Sequence, residues 1–206
     1  MRSSKEAMRR LYGLAERQAG FFTAKQAETA GFSASSHTYH VQAGNWAREY
    51  RGIYRLTGFP AVLRPELARW HLWSMDRAGR AQGVYSHHTA LALYLMPTVN
   101  PPAMGVLEMT VPRNFRRSGA IPEGLRLHYG SLPESDVSLG NGHRLTTALR
   151  TVIDLGRSGT LERTALSEAL MQLVDRRLIT RAQVRRAVIP EESRVQLEEL
   201  LELGRR

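Results

Sequence analysis

The sequence contains no cysteine, and its only two lysines, Lys5 and Lys25, lie near its start. The missing cysteines exclude disulfides, thiolate metal sites and a cysteine nucleophile. A phosphate-binding loop of the Walker type needs a lysine, and the segment Gly140–Gly142, which is typical of a hairpin turn, has none. No apolar run is long enough for a signal peptide or a membrane-spanning helix, so we expect a soluble cytoplasmic protein.

Arginine and positive charge are abundant instead. The formal net charge is +10 at pH 7 and the isoelectric point is about 10.7, while 42% hydrophobic residues are enough to build a core. This balance indicates a polyanionic partner, either nucleic acid or an anionic membrane, with an inert basic surface as the alternative. Because the basic residues are dispersed and no basic apolar helix stands out, we do not expect membrane binding.

The first 44 residues predict three short helices. Apolar residues recur every three or four positions over residues 5–18, as one face of a helix requires. Thr23 is a good N-cap for a second helix, which Gly31 ends. Ser33 caps a third helix that continues to about Ala43. Two short helices around a glycine-containing turn are typical of a helix-turn-helix.

A β-hairpin is predicted directly after the third helix. The segment WAREYRGIYRLTG is rich in strand-forming side chains, and its Arg51-Gly52 pair suits a turn between two strands. A hairpin in this position is the wing of a winged helix. Its arginines, Arg48, Arg51 and Arg55, are placed to touch phosphates or to enter the minor groove. We therefore predict a winged helix-turn-helix DNA-binding domain over residues 1–58.

Residues 66–206 predict a second, α/β domain that becomes increasingly helical toward its end. A connector with two prolines, residues 59–65, precedes it. The predicted strands cover 106–111 and 125–129, and the predicted helices cover about 66–77, 87–95, 146–155, 161–174, 181–188 and 191–203. The predicted fold class is thus α+β, an N-terminal winged helix-turn-helix followed by a mixed α/β C-terminal domain.

The third predicted helix carries the candidate DNA contacts. Its polar residues are Ser35, Ser36, His37, Tyr39, His40 and Gln42. We expect Ser36, His37 and His40 to contact DNA, because base reading needs donors and acceptors at the start of a helix in the major groove. Arg51 would hold the phosphate backbone, while Val41 and one face of Tyr39 would pack inward. The alternative is a polar surface helix with no role in DNA binding.

The residue pattern predicts no metal, no cofactor and no catalytic residue. Zinc needs three or four converging ligands, and the pair His37 and His40 has no evident carboxylate or cysteine companion. Ser86, His87 and His88 are residues of the kind found in a nucleophile–base pair, but neighbours in sequence rarely hydrogen-bond as a dyad and no G-x-S-x-G elbow surrounds them. We therefore interpret Ser86 as a helix cap that is followed by an interior histidine.

Several short motifs follow one another in a recognisable order. They are LYGLAERQAGFFTAKQAETAGFS and YRGIYRLTG near the start, then YSHHTALALYLM, EMTVP and LTTALRTVIDLG. In this order they resemble the AbiEi family of type IV antitoxins, cytoplasmic bacterial regulators of abortive-infection systems that are encoded beside a nucleotidyltransferase-like toxin. The resemblance covers about residues 10–160, and the tail beyond about Gly159 matches none of the family's motifs.

The resemblance implies a transcriptional repressor that is also an antitoxin. The winged helix would bind double-stranded DNA at inverted repeats in its own promoter, with two protomers paired on the palindrome. The second domain would counteract the toxin, an antagonism that in type IV systems is held not to need a stable complex. The implied DNA contacts are Ser35, Ser36, His37, His40, Arg48 and Arg51, and the family supplies no catalytic residue.

Two other interpretations remain open on the sequence alone. One is a nuclease of the PD-(D/E)xK type, active or decayed. An active nuclease is disfavoured because that site needs a lysine beside a carboxylate, and no lysine follows Lys25. The other is a ligand-responsive transcription factor without a toxin. A neighbouring nucleotidyltransferase gene favours the antitoxin, and its absence favours the ligand-responsive factor.

Overall fold

The structure, a computed structural model, describes residues 4–95, 105–140, 142–187 and 190–203. The chain divides into two compact units, Met1–Gln82 with Gly140–His143 and Gly83–Leu139 with Arg144–Arg206. The first unit therefore extends past residue 58, where the predicted winged helix ends. Among the described residues, no helix is both long and apolar enough to cross a membrane.

Helices and strands are mixed along the chain, and the predicted fold class is confirmed. The helices are α1 (Ser4–Glu16), α2 (Ala24–Ala30), α3 (Ser36–Gln42), α4 (Pro65–Trp73), α5 (His87–Leu95), α6 (Ala148–Ser158), α7 (Arg163–Asp175), α8 (Arg181–Arg186) and α9 (Glu191–Leu203). The strands are β1 (Phe21–Thr23), β2 (Trp46–Tyr50), β3 (Ile53–Leu56), β4 (Val84–Tyr85), β5 (Leu107–Val111), β6 (Leu125–Tyr129), β7 (Val137–Leu139) and β8 (Arg144–Thr146).

The first unit begins with a winged helix-turn-helix. Its three strands form an antiparallel sheet in the order β1-β3-β2, in which β2 and β3 are the predicted wing. The sheet and the helices α1 and α2 enclose one apolar cluster, whose largest buried members are Leu11, Phe22, Phe32, Trp46 and Leu56. Strand β1 was not predicted as a strand. It pairs with β3 and thereby ties the wing to the helical part of the unit.

Helix α2 has the predicted bounds because its caps are local. The Thr23 hydroxyl accepts a hydrogen bond from the Gln26 N–H, while the Gln26 side chain accepts one from the Thr23 N–H. At the other end Gly31 has a φ of 117°, a backbone conformation that favours glycine. Each cap needs only residues within one turn of it, so the sequence was sufficient to place both ends.

Helix α3 begins later than predicted, at Ser36. The Ser36 hydroxyl donates to the backbone oxygen of Ser33, and the Ser36 N–H donates to the same oxygen, so these residues form a turn. Ser35 occupies the N-cap position without a side-chain capping bond. Since three of the four residues 33–36 are serines, propensity alone could not decide which of them caps the helix.

Helix α4 ends at Trp73, four residues before the predicted end. The cause is a tight loop built on Asp76, whose carboxylate accepts hydrogen bonds from the backbone N–H groups of Ala78 and Arg80. A side chain that satisfies its neighbours' backbone groups in this way competes with continuation of the helix.

The second unit contains a mixed five-stranded sheet in the order β6-β5-β4-β8-β7. The predicted strands β5 and β6 lie side by side and parallel, with Glu108 opposite Arg126 and Thr110 opposite His128. Strands β4, β7 and β8 were not predicted, because two or three residues are too few to show an alternating pattern. Helices α6, α7 and α9 pack around a second apolar cluster that includes Leu155, Leu170, Leu173 and Leu197.

We expect two glycine substitutions in the first unit to act in opposite directions. Gly20 has a φ of 86°, and an added Cβ would lie 2.6 Å from the Phe59 ring, so Gly20→Ala should lower the free energy of unfolding by about 2 kcal/mol. Gly13 lies within α1 with open space around it, so Gly13→Ala should raise that free energy by about 0.5–1 kcal/mol. Urea denaturation measures the free energy of unfolding of both variants. Equal changes in the two variants would contradict the close packing of Gly20 against Phe59.

Candidate nucleic-acid interface

One side of α3 and the turn before it presents exposed polar side chains. Ser35, Thr38, Tyr39 and Gln42 are all exposed, and Tyr39 retains 64% of its accessible surface. Their spacing of three and four residues places them on a single helix face. This is the arrangement with which a recognition helix reads base edges, since glutamine pairs with adenine and hydroxyl groups pair with several bases.

The structure places His37 inside the core, where a base contact is not available to it. The residue is 6% exposed, and its ring lies 5.5 Å from the Trp46 ring and 5.7 Å from the Tyr54 ring. One face of Tyr39 was predicted to pack inward. Its ring contacts the His40 ring at a centroid distance of 5.4 Å, but most of the side chain is in solvent. The histidine therefore packs, and the tyrosine is available for contact.

The variant His37→Phe distinguishes packing from base contact. Among the described residues the buried His37 Nε2 has no hydrogen-bond partner, so an apolar ring of similar shape removes an unsatisfied polar atom. We expect a free energy of unfolding that is unchanged or raised by up to about 1 kcal/mol, together with unchanged DNA affinity. Urea denaturation and fluorescence anisotropy measure the two quantities. If the folded variant instead loses affinity for specific DNA, His37 does contact a base and its assignment to packing alone is wrong.

His40 and Ser36 are half-buried, and each has a local structural role. The His40 ring stacks on Trp46 at a centroid distance of 4.5 Å, and its Nδ1 lies 3.4 Å from the Asn45 amide. Burial and the nearby His37 lower the pKa of His40, which favours a neutral ring. The Ser36 hydroxyl serves the turn before α3. Of the predicted contacts Ser35, Ser36, His37 and His40, only Ser35 is exposed.

Two of the three predicted wing arginines are exposed. Arg48 lies on β2 beside an irregularity in the pairing with β3, and Arg51 lies in the turn between the two strands. Arg55 is instead held against the unit, where its guanidinium donates to the backbone oxygens of Phe59 and Pro60. Arg48 and Arg51 are thus the wing side chains able to reach a phosphate backbone.

Thr38 and Gln42 complete the exposed face of α3, and sequence analysis did not select either of them as a contact. Gln42 was recognised as polar, and Thr38 was passed over. A helical projection from Ser35 finds both, because residues three and seven positions further along share its face. What it cannot find is which face is exposed, since that depends on the contacts of His37 with the sheet.

The second unit holds a separate polar cluster on β5, β6 and the start of α5. Glu108 is 4% exposed, and its carboxylate accepts hydrogen bonds from Arg126 at 3.1 Å and from the backbone N–H of His88 at 3.0 Å. The His87 and His128 rings are stacked 3.6 Å apart. Ser86 and His87 do hydrogen-bond, at 2.9 Å, contrary to the expectation for neighbouring residues. Ser86 is fully buried, so a substrate from solvent does not reach its hydroxyl.

Comparison with known proteins gives a family match and shows similarity to a solved structure. Residues 9–57 match the family model described as "Transcriptional regulator, AbiEi antitoxin", which confirms the resemblance over the winged helix and supports a role as a transcriptional regulator or antitoxin. The chain is similar in fold to the RV2827C protein from Mycobacterium tuberculosis, with a TM-score of 0.58 and 16% identity. That alignment covers 98% of this chain and 78% of the other. No curated protein sequence matches.

Proposed function

We propose that this protein is a repressor that binds inverted repeats in its own promoter through α3 and the wing. The observation that carries the proposal is the exposed face of Ser35, Thr38, Tyr39 and Gln42 on a winged helix whose hairpin presents arginines to solvent. The helix face suits base reading and the arginines suit phosphate contact. The net charge of +10 adds a favourable, salt-dependent attraction to DNA.

The wing arginines give the first test of DNA binding. We expect the full chain to bind its own upstream DNA more tightly than a shuffled fragment, by at least about tenfold. Arg51→Ala should weaken binding to both fragments and reduce the slope of log affinity against log salt by about 1. Arg9→Ala removes an exposed arginine from α1 and is the matched control, with a slope equal to that of the wild type.

Fluorescence anisotropy at four or five salt concentrations measures these affinities. Equal affinity for the two fragments would contradict the proposed repressor role. An unchanged salt slope for Arg51→Ala would contradict only the contact between the wing and the phosphate backbone. Sedimentation of the protein on the full operator tests the pairing of two protomers, which a single bound protomer would contradict.

We propose in addition that the protein antagonises a nucleotidyltransferase-like toxin without catalysis of its own. The family match supports an antitoxin role at the level of the family. In the second unit the candidate nucleophile Ser86 is buried, and both oxygens of Glu108 are engaged by His88 and Arg126. Neither residue is arranged to attack a substrate.

Co-expression with a neighbouring nucleotidyltransferase tests the antitoxin role separately from repression. Toxin expressed from an unrelated promoter should arrest growth, and the full chain should restore it. Arg51→Ala should restore growth as well as the wild type does, because the toxin gene is no longer under the repressor's control. If neither the wild type nor Arg51→Ala restores growth, the antitoxin role is contradicted and only the role as a transcription factor remains.

A further inference from the structure

Three side chains of the second unit come together as the ligands of a metal ion would. His87, Glu108 and His128 each offer one ligand atom, and these atoms lie within 4.8 Å of one another. The donors of one tetrahedral Zn²⁺ lie about 3.3–3.6 Å apart, because each stands about 2.0–2.2 Å from the ion, so these atoms must draw together by up to about 1.5 Å on binding. We propose that these residues bind a divalent transition-metal ion, with Zn²⁺ the best match to two imidazoles and one carboxylate.

The gap between Glu108 and His128 has room for a shared ion. Glu108 Oε1 and His128 Nε2 are 3.9 Å apart, too far for a hydrogen bond and close enough to share one ion. His128 Nε2 is buried and, in the described part of the chain, has no hydrogen-bond partner. A buried nitrogen of this kind is costly unless something occupies the position in front of it.

The Glu108 carboxylate is buried and keeps one of its oxygens available to an ion. Its Oε2 accepts from His88, and its Oε1 accepts from Arg126 at 3.1 Å. A carboxylate oxygen can accept a second interaction, so Oε1 remains able to bind an ion.

His87 is oriented by partners on its far side. Its Nδ1 lies 2.9 Å from the Ser86 hydroxyl, which also accepts a hydrogen bond from Thr110 at 2.9 Å. Donation from Nδ1–H to Ser86 leaves Nε2 as the ligand nitrogen, the arrangement common to metal-binding histidines. His87 also has a φ of 53°, and backbone strain of this kind in a residue other than glycine is concentrated at functional sites.

Asp154 is an independent sign that the site faces a ligand. A cavity of about 520 Å³ is lined by His87 and His128 and also by Asp154. Asp154 is 8% exposed. Its Oδ1 accepts from Arg150 at 2.8 Å, and no described residue donates to its Oδ2. This oxygen is a further anionic group at the cavity that can reach the ion through water, and the cavity leaves room for an exchangeable ligand on the ion.

Two features set the expected strength of binding. The rings of His87 and His128 are nearly parallel, at 14°, so their lone pairs converge on one ion only after the rings tilt apart. The guanidinium of Arg126 contacts the same carboxylate and repels a cation. Both effects oppose binding, and we expect a dissociation constant on the order of 1 µM, well above that of a preformed structural zinc site.

Calorimetric titration of the untagged full chain with Zn²⁺ tests the proposal, after treatment with chelator. We expect one ion per chain. His128→Ala and Glu108→Gln should each weaken binding at least about tenfold, and Ser86→Ala should weaken it about tenfold with the stoichiometry kept. His40→Gln removes a histidine from the first unit and is the matched control, with wild-type affinity. Circular dichroism checks that each variant is folded.

A second measurement decides the matter if a variant does not fold. Zn²⁺ added to the wild-type protein should shift the imidazole nitrogen resonances of His87 and His128 and leave those of His37 and His40 in place. Wild-type protein that takes up no ion near 10 µM Zn²⁺ would overturn the proposal, as would folded His128→Ala with undiminished affinity. Shifts confined to other histidines would overturn it too.

Discussion

Trp46→Ala should lower the free energy of unfolding by about 3–5 kcal/mol, the range for loss of a buried aromatic side chain. Trp46 is 1% exposed. Its ring is the centre of an aromatic cluster, with Phe22 at 4.9 Å, Phe32 at 5.1 Å and His40 at 4.5 Å. Because α3 packs on this ring through His37 and His40, the cavity should also loosen the helix that presents the candidate DNA contacts.

Trp46→Phe is the matched control for this substitution. Within the described residues the buried Trp46 Nε1 has no hydrogen-bond partner, so phenylalanine loses ring volume and also removes an unsatisfied N–H group. We expect a loss of about 1 kcal/mol. Urea denaturation, followed by circular dichroism, compares the two variants. Equal losses would contradict a packing role for the ring, because phenylalanine retains most of the aromatic volume that alanine removes.

Leu170→Ala should lower the free energy of unfolding by about 2–5 kcal/mol. Leu170 lies on α7, is fully buried, and belongs to the apolar cluster of the second unit together with Leu155 and Leu197. These residues come from α6, α7 and α9, whose mutual packing depends on the same cluster. The cavity left by alanine would be lined by all three helices, so relaxation of one helix cannot close it.

Leu203→Ala is the control for this prediction. Leu203 ends α9 and is 39% exposed, so its truncation should cost less than about 1 kcal/mol. Differential scanning calorimetry of both variants checks the difference. If Leu170→Ala and Leu203→Ala melted at the same temperature, the claim that α7 is central to the core of the second unit would be contradicted.

The parts of the fold that were predictable are those fixed by neighbours in sequence. Thr23 and Gly31 define α2 because both caps act within one turn. The turn at Arg51-Gly52 likewise placed the wing. The N-terminal winged helix and the helical end of the chain follow from such local signals together with helical periodicity.

The parts that sequence did not reveal depend on partners distant along the chain. Which side of α3 faces inward is decided by the ring contacts of His37 with Trp46 and Tyr54. The approach of Glu108 to His128 follows from the parallel register of β5 and β6. Neither the contact nor the register leaves a periodic signal, so the sequence did not show that Glu108 lies beside His87 and His128.

The most direct test of the central claim is the specificity of Gln42→Ala. We compare its affinities for the protein's own upstream DNA and for a shuffled fragment, with Gln172→Ala, an exposed glutamine of α7, as the control. The account predicts that Gln42→Ala loses about 1–3 kcal/mol on the specific fragment, little on the shuffled one, and keeps the wild-type salt slope. Equal losses on both fragments, or wild-type affinity for both, would contradict the assignment of this face of α3 to base reading.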